Sequence, residues 1–302
     1  MFSSRSGAAR LSIIVVVSLI VLKVAIGIIT GSLSIFAQAV DSFLDLFAVV
    51  ITFMAVRVAE QPADEKHPFG HGKAENVAAV IQAILIIIAG GYIYYSAIRR
   101  ILTGATVEMT EAGIGVMAVS VIASILLSRY LLKVARREDS QALEANARNI
   151  AADVYSSLAV LIGLIIVRFT GWSIIDPILA GLVAFFIFKV GYDVLKNAFG
   201  GIVDVKLPEE EEVIIREAIS EHFGNEVVDF HRLRTRKAGS HRYIDFHLVL
   251  PKDTSLKAAH NMCDHLEEDI ESKVANTDVT IHAEPCDENC EECKATCERR
   301  KT

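Results

Sequence analysis

Apolar segments of about twenty residues, separated by short polar stretches, fill the chain as far as residue 200. Runs such as LSIIVVVSLIVL and VAAVIQAILIIIAGG belong to segments that are long enough for a helix to cross a bilayer. These segments are therefore predicted to form an all-α six-helix bundle in the membrane. We predict the six spans at residues 11–30, 33–56, 77–98, 113–133, 150–168 and 177–197.

The polar C-terminal part has different periodicities, which predict a small soluble domain. Segments with helical periodicity and segments typical of strands follow one another in the order αββαβ. This order predicts a two-layer α+β domain. We predict its helices at 209–223 and 254–273 and its strands at 227–236, 241–250 and 277–282.

Composition and charge divide the chain in the same place. A mean hydropathy of +0.42 is too high for an ordinary soluble protein of 302 residues. Up to Val203 the chain has 16 Lys and Arg against 14 Asp and Glu, whereas from Asp204 onward it has 14 against 23. This distribution argues against a nucleic-acid partner. The predicted domains are a transmembrane domain at 1–203, a soluble domain at 204–285 and a Cys-rich tail at 286–302.

The positions of Lys and Arg predict how the bundle is oriented. Most of them fall on one side of the predicted spans, near the N-terminus, in the loop 57–73 and around residues 133–148. The positive-inside rule assigns that side to the cytoplasm. Because six spans return the chain to its starting side, both termini and the acidic domain are expected in the cytoplasm. We expect a lipid-embedded protein of a prokaryotic inner or plasma membrane.

Two pairs of polar residues lie within the predicted spans. Asp41 and Asp45 are four residues apart in the second span, and Asn149 and Asp153 have the same spacing in the fifth. Each pair shares one face of its helix. An acid at the centre of a membrane helix costs about 2.5–3.5 kcal/mol, so such residues usually have a function. Two pairs on two helices would offer four oxygen ligands to one divalent cation; the alternative is protonated acids that are hydrogen-bonded in the core.

The predicted cytoplasmic loop PADEKHPFGHGKAE contains a second candidate metal site. Asp64, His67 and His71 have spacings of three and four, and they would share one helix face if the third helix began in this loop. Two imidazoles and a carboxylate suit Zn²⁺ or another first-row ion. The alternative is a solvated basic loop.

A third group of candidate ligands is the cysteine tail. Its spacing would align four thiols on one stripe of a helix, and a cytoplasmic location argues against stable disulfides. Clustered thiols suit Zn²⁺ or Cu⁺, although a tail without metal is the simpler alternative. The four residues are Cys286, Cys290, Cys293 and Cys297.

With these motifs the chain resembles the cation diffusion facilitator family, whose members are divalent-metal/proton antiporters. The resemblance covers nearly the whole chain. It rests on the six spans, the two pairs within them, the loop PADEKHPFGHGKAE, the Asp-Pro that opens the sixth span and the αββαβ domain. It implies that the two pairs form the transport site and that the loop residues form a second metal site.

The family resemblance further implies a homodimer with a metallochaperone-like cytoplasmic domain. This domain would bind metal between protomers, and Lys73 and Asp204 would form a salt bridge that ties the dimer together. Zinc-transporting relatives commonly have Asp where this chain has Glu284, so the carboxylate here has a longer arm. The implied ligands of the cytoplasmic domain are His231, His247, His260, His282 and Glu284.

Asn149 changes the expected ion preference. Zinc-transporting relatives have histidine at this position, whereas asparagine resembles the manganese-exporting branch. Three carboxylates and one amide oxygen form a hard ligand set, which favours Mn²⁺, then Fe²⁺, over Zn²⁺. Divalent metal ions are thus expected both as substrate and as regulator.

The expected function is efflux of divalent metal cations from the cytoplasm in exchange for protons. The alternative is a membrane-anchored metal sensor or scaffold that binds metal without transporting it. An enzyme is not expected, because the chain has no HExxH motif and no evident nucleophile–base pair.

Overall fold

The computed structural model describes residues 4–30, 33–103, 111–170, 174–223 and 227–286. The chain divides into two units, Met1–Gly200 and Gly201–Thr302. Three of the tail cysteines (Cys290, Cys293 and Cys297) and the side chain of Asp41 lie outside the described part.

Six long helices build the first unit, which we call the membrane domain. Within the described residues, all of them except α5 are long and apolar enough to cross a membrane by length and composition. The helices are α1 (Arg5–Thr30), α2 (Leu33–Ala59), α3 (Lys73–Thr103), α4 (Glu111–Glu138), α5 (Gln141–Thr170) and α6 (Ile175–Ile202). They confirm the predicted helical membrane fold.

Among the described residues, the helices pack through three apolar clusters. The first joins α1, α2, α4 and α5 with Ala78 of α3, the second joins α3, α5 and α6, and the third joins α4 and α5. Gly191 permits the close approach of α6 to α3, because a Cβ at this position would lie 2.8 Å from Ile87 Cγ1. Small residues at helix interfaces are typical of membrane bundles, in which close backbone packing replaces the hydrophobic driving force.

Helix α5 begins at Gln141, well before the predicted span start at residue 150. Ser140 and Glu75 fix this early start: Ser140 Oγ accepts from Leu143 N–H at 3.3 Å and donates to a Glu75 carboxylate oxygen at 2.6 Å. Arg5 also donates to the Glu75 carboxylate, at 3.1 Å. These bonds tie the starts of α1, α3 and α5 together, which a hydropathy pattern does not reveal.

The second unit contains an α+β domain with the predicted order αββαβ. Strand β2 lies in the centre of the sheet, antiparallel to β1 and parallel to β3. Helix α8 makes the crossover that the parallel pair requires. The elements are α7 (Glu209–Ser220), β1 (Asp229–Ala238), β2 (His241–Leu250), α8 (Leu256–Lys273) and β3 (Thr277–Pro285).

Strand β2 has one apolar and one polar face. Ile244, Phe246 and Leu248 are fully buried against α8, whereas the residues between them are only half-buried. His247 therefore points away from the core, as the alternation in the sequence predicts. The polar face of the sheet is available for ligands.

Candidate functional site

Four helices of the membrane domain, α1, α2, α4 and α5, line a cavity of about 70 Å³. We call it the transport cavity because two of the predicted transport residues line it. Its polar lining consists of two carboxylates, one lysine and four hydroxyl groups. These residues are Lys23, Ser42, Asp45, Ser120, Ser124, Asp153 and Ser157. Among the described lining residues there is no imidazole and no thiol.

Asp45 of α2 and Asp153 of α5 both line this cavity, although they come from different helices. Both residues are half-buried. Asn149 is buried, with 7% of its surface exposed, but it is not among the residues that line the cavity. The structure thus brings two of the four predicted transport residues to one cavity, and the complete ligand set remains a prediction.

Hydrogen bonds between helices hold the walls of the transport cavity. Lys23 Nζ donates to Ser42 Oγ at 2.6 Å and links α1 to α2. Ser128 Oγ donates to the carbonyl oxygen of Ala147 at 2.8 Å and links α4 to α5. Leu127 and Ile150 belong both to the apolar core and to the lining, so the cavity is continuous with well-packed helix interfaces.

Helix α4 also contributes polar residues to this cavity, which were not predicted from the sequence. Ser120 and Ser124 are four residues apart and both line it. The Ser120 hydroxyl is buried and has no hydrogen-bond partner among the described residues. Because an unpaired buried hydroxyl is unfavourable, this oxygen is suited to a ligand or a water molecule. The spacing of the two serines on one helix face is the signal that was available in the sequence.

The loop between α2 and α3 brings its three predicted ligands together. One ligand atom each of Asp64, His67 and His71 lies within 4.8 Å of the others. Asp64 Oδ1 lies 3.1 Å from His67 Nδ1, and Asp64 Oδ2 lies 3.5 Å from His71 Nε2. The set of two imidazoles and one carboxylate fits a first-row metal ion.

These three residues do not share a helix face, because α3 begins only at Lys73 and the condition for that arrangement is not met. Asp64 Oδ1 accepts hydrogen bonds from the backbone N–H of Lys66 and His67, at 2.9 and 2.7 Å, which closes a turn. Gly70 has a φ of +76° and donates its N–H to the His67 carbonyl at 2.9 Å. The chain therefore turns back and places the His71 ring 4.5 Å from the His67 ring, between centroids.

The electrostatics of this turn favour an ionised carboxylate. The pKa of Asp64 lies below its usual value, chiefly because the backbone N–H of His67 donates to the carboxylate. Such a bond stabilises the charged form, which is the form that binds a cation. His71 Nδ1 is buried without a hydrogen-bond partner among the described residues, which leaves Nε2 as the nitrogen that faces Asp64.

The C-terminal domain carries a row of histidines across the polar face of its sheet. Residue pairing places His231 of β1 opposite His247 of β2, which lies opposite His282 of β3. Neighbouring rings are 5.1 and 4.7 Å apart between centroids. Glu284 joins this row: its carboxylate lies 2.8 Å from His231 Nε2 and 3.2 Å from His247 Nδ1. Ligand atoms of His231, His247 and Glu284 lie within 4.8 Å of one another, so these residues can hold one metal ion.

A bulge in β1 aims His231 at this group. The strand pairing shifts between His231 and Arg234, and Arg232 has a φ of +54°. Such a bulge locally bends a strand and redirects a side chain. His282 lies at the edge of the group, 4.0 Å from Glu284, and is largely exposed.

His260 is not brought to this group within one chain. It lies on α8, which packs on the opposite, apolar face of the sheet, and it pairs with Asp264 at 3.3 Å. The predicted role of His260 in binding metal between protomers stays a prediction.

Three further predicted residues, Lys73, Asp204 and Cys286, lie outside the cavity and outside the two groups of candidate metal ligands described above. Lys73 is the first residue of α3, and Asp204 lies 3.7 Å from Arg236, with a φ of +58°. Their predicted dimer salt bridge stays a prediction. Cys286 follows β3, and its N–H donates to the Leu250 carbonyl at 2.8 Å.

Comparisons with known proteins agree with the division into two domains. Residues 9–203 match the family described as cation efflux transmembrane domain, and residues 207–286 match the cytoplasmic domain of cation efflux proteins. The chain is 32% identical over 273 residues to the cation-efflux pump FieF of Salmonella newport, which covers 89% of each chain. It is 30% identical over 267 residues to the transporter sll1263 of Synechocystis sp., which covers 88% of this chain and 86% of that one.

Two solved structures are similar to about a quarter of the chain. CzrB in its Zn form is 38% identical and covers 27% of this chain and 92% of its own, with a TM-score of 0.26. The metal-bound C-terminal domain of the CzcD transporter from Thermotoga maritima is 28% identical and covers 26% of this chain and 94% of its own, with a TM-score of 0.24.

Proposed function

The chain belongs to the cation diffusion facilitator family of cation efflux proteins, and on this premise we propose that it exports Mn²⁺ from the cytoplasm in exchange for protons. In this proposal Fe²⁺ and then Zn²⁺ are the less preferred ions. Family membership makes the protein an integral membrane transporter of divalent metal ions and not an enzyme. The match of residues 207–286 to the cytoplasmic domain of cation efflux proteins, which is a dimerisation domain, indicates a homodimer.

One observation carries the proposed site: Asp45 and Asp153 line a single small cavity from two different helices. Acids inside a membrane bundle are unfavourable unless they are paired with a cation or a proton. A cavity with two acids and several hydroxyls provides both the charge and the donor atoms for a divalent ion. In the proposal, Asp41 and Asn149 complete the ligand set, one helical turn from Asp45 and Asp153 respectively.

The proposed preference for Mn²⁺ rests on the donor atoms. The described polar lining consists of carboxylates, hydroxyls and Lys23, and oxygen ligands suit Mn²⁺ better than they suit Zn²⁺. Asn149 would add an amide oxygen where an imidazole would add the nitrogen that zinc favours. Fe²⁺ follows Mn²⁺ because it shares the tolerance for oxygen ligands.

Exchange with protons follows from the same carboxylates. A metal ion binds the deprotonated form, so its binding releases protons, and protons on the far side favour its release. Empty carboxylates inside the membrane are costly, and for this reason protonation would accompany the return of the transporter.

The other metal groups are proposed to regulate transport. Metal at His231, His247 and Glu284 would stabilise one conformation of the dimer and so raise transport when cytoplasmic metal is abundant. Asp64, His67 and His71 would bind a further ion on the cytoplasmic side. In the proposed topology both termini are cytoplasmic and the membrane is a prokaryotic inner or plasma membrane, in keeping with the positive-inside distribution.

The test is metal-driven proton flux in proteoliposomes that contain the purified protein. The wild type is expected to take up Mn²⁺ faster than Fe²⁺ or Zn²⁺ and to release protons from the vesicle lumen. Asp45→Asn and Asp153→Asn should abolish both fluxes. Asp193→Asn is the matched control, because Asp193 is an exposed acid on α6.

Normal metal and proton fluxes in Asp45→Asn would exclude the proposed site. A wild-type protein that binds Mn²⁺ but moves no metal would instead favour the membrane-anchored sensor or scaffold.

A further inference from the structure

Lys23 is a buried lysine inside a membrane-spanning helix. Only 8% of its surface is exposed, and its ammonium group donates to the hydroxyl of Ser42, which is also buried. Lys189 of α6, in contrast, is exposed. A lysine in a membrane helix usually reaches for the interface or pairs with an acid, because an isolated buried ammonium is costly.

The ammonium group of Lys23 belongs to the transport cavity. Lys23, Asp45 and Asp153 all line it, so one positive charge accompanies the two described carboxylates. Ser42, which holds the ammonium, precedes Asp45 by three residues on α2 and therefore lies about one helical turn away on the same side. The hydrogen bond to Ser42 thus holds the Lys23 ammonium on the side of α2 that carries Asp45.

The positive charge of Lys23 affects both metal binding and the stability of the metal-free site. A divalent ion and an ammonium group repel each other strongly in a cavity of low dielectric constant, so Lys23 weakens metal binding. The same ammonium stabilises the carboxylates when no metal is bound, since uncompensated charges inside a bilayer are the most unfavourable state of the site. Lys23 therefore favours the metal-free form at the expense of the metal-bound form.

We propose that Lys23 is the built-in counter-ion of the transport cavity: after the metal ion has left, its ammonium balances one of the two negative charges of Asp45 and Asp153, so that protons need to neutralise only the remaining charge before the metal-free transporter returns. This inference rests on the proposed transport function and adds a residue to it. Lys23 is not a metal ligand. Its ammonium donates to Ser42 Oγ and acts on the carboxylates by its positive charge.

Measurements of net transport and of metal exchange distinguish a counter-ion role of Lys23 from a structural role. Net efflux requires the empty transporter to return in every cycle, whereas exchange of labelled for unlabelled Mn²⁺ requires only the metal-bound form to reorient. Loss of the positive charge should therefore slow net transport and spare exchange. Loss of a purely structural contact between α1 and α2 would impair both.

The experiment compares four variants of the full chain in proteoliposomes. Lys23→Gln keeps a hydrogen-bond donor for Ser42 but removes the charge, and Lys23→Arg keeps the charge. Ser42→Ala removes the anchor and keeps the charge, and Lys189→Gln removes an exposed lysine from a spanning helix. Net Mn²⁺ flux, labelled Mn²⁺ exchange and the Mn²⁺ concentration at half-maximal exchange are measured for each.

For Lys23→Gln we expect net flux to fall roughly tenfold or more and exchange to stay near the wild-type rate. Its half-maximal Mn²⁺ concentration should fall roughly tenfold, because one repulsive charge is gone. Lys23→Arg should retain net flux, and Lys189→Gln should match the wild type. Ser42→Ala should lie between Lys23→Gln and the wild type in net flux.

Equal losses of net flux and exchange in Lys23→Gln would overturn the inference in favour of a structural role, and so would wild-type behaviour of this variant in both measurements. Failure of the proposed function would look different, because the wild type itself would then transport no Mn²⁺ in either mode.

Discussion

His231 of β1 and Glu284 of β3 contact each other across the intervening strand β2, with 2.8 Å between Nε2 and Oε1. The pairing of the strands produces this contact: His231 lies opposite His247, and Glu284 follows two residues after the partner of His247 on β3. The carboxylate also approaches His247 Nδ1, at 3.2 Å. It thus holds two imidazoles in an arrangement that suits a metal ion.

Glu284→Gln should weaken metal binding by the C-terminal domain. The change keeps the size of the side chain and removes the charge that pairs with both imidazoles, so we expect the affinity for Zn²⁺ to fall about tenfold or more. Titration calorimetry on residues 204–285, which contain their own apolar core, measures this affinity. His241→Ala is the control, because His241 is exposed at the start of β2. An unchanged affinity in Glu284→Gln would remove the carboxylate from the ligand set.

Gly70→Ala should disrupt the metal site in the loop between α2 and α3. A Cβ at Gly70 would meet no atom within 4 Å, so its effect comes from the φ of +76° alone. The left-handed conformation costs an alanine roughly 1–2 kcal/mol, which corresponds to a loss of about tenfold in affinity if the turn relaxes without metal.

This loop affinity is measured by Zn²⁺ titration of a chain whose C-terminal ligands are removed by His231→Ala and Glu284→Gln. Gly70→Asn is the matched variant and should bind more tightly than Gly70→Ala, because asparagine adopts the left-handed conformation more readily. Equal binding by glycine, asparagine and alanine would show that the turn does not need this conformation.

Most of the fold could be predicted from the sequence because its signals are local. Long apolar runs predict membrane helices, and the alternation through β2 predicts which face of the strand is buried. Helix α5 starts about two and a half turns before the predicted span, because its first part is stabilised by long-range contacts. Glu75 and Ser140 hold that end of the helix, and a hydropathy pattern contains no information about such a bond.

The candidate site could be predicted only in part, for a similar reason. Acids in a spanning helix stand out in a sequence, and Asp45 and Asp153 were found in this way. The spacing of Ser120 and Ser124 indicates only that they share a helix face, and the packing of α4 in the bundle is what makes them lining residues. Spacing predicted that the three loop residues form a group, and the structure brings them together, but the turn at Gly70 depends on a backbone conformation rather than on helical periodicity.

Glu212→Gln should destabilise the C-terminal domain. Glu212 is nearly buried on α7, where it accepts hydrogen bonds from Thr235 Oγ1 at 2.9 Å and from Lys206 Nζ at 3.0 Å. Burial opposes ionisation, but these partners outweigh it, and the pKa of Glu212 lies below its usual value. We expect a loss of about 1–2 kcal/mol in the free energy of unfolding at neutral pH.

The direction of the pKa shift of Glu212 determines how its contribution to stability depends on pH. A carboxyl whose pKa is lower in the folded state stabilises the fold at pH values above its unfolded pKa of about 4.3, and the contribution disappears as the pH falls through the folded pKa. The difference in melting temperature between the wild type and Glu212→Gln should thus shrink below about pH 4.3. Glu209→Gln, at an exposed position of the same helix, should show little difference at any pH. A difference for Glu212→Gln that grew on acidification would contradict the assigned direction.

Ser120→Cys should shift the ion preference toward softer metals. The Ser120 hydroxyl lines the transport cavity and has no partner among the described residues, so a thiol at this position would face the same space. Sulfur ligands favour Zn²⁺ over Mn²⁺, and we expect the ratio of kcat/KM for Zn²⁺ over Mn²⁺ to rise on the order of tenfold. Ser120→Ala controls for loss of the hydroxyl and should lower both rates without changing their ratio. A ratio that is the same in all three proteins would exclude contact between this position and the ion.

Asn149→His tests the proposed contribution of α5 to ion selectivity. Asn149 lies one turn before Asp153 on α5 and next to the lining residue Ile150, so a longer imidazole at this position can extend toward the cavity. The added nitrogen should raise Zn²⁺ transport relative to Mn²⁺, since imidazole is a better ligand for zinc than an amide oxygen is. Competition between the two ions in proteoliposomes measures the shift, and Asn146→His, one turn earlier on the same helix, is the positional control. An unchanged ion preference in Asn149→His, with both ions still transported, would show that the amide oxygen has no part in choosing the ion. The hydroxyls and carboxylates of the cavity would then be the remaining determinants.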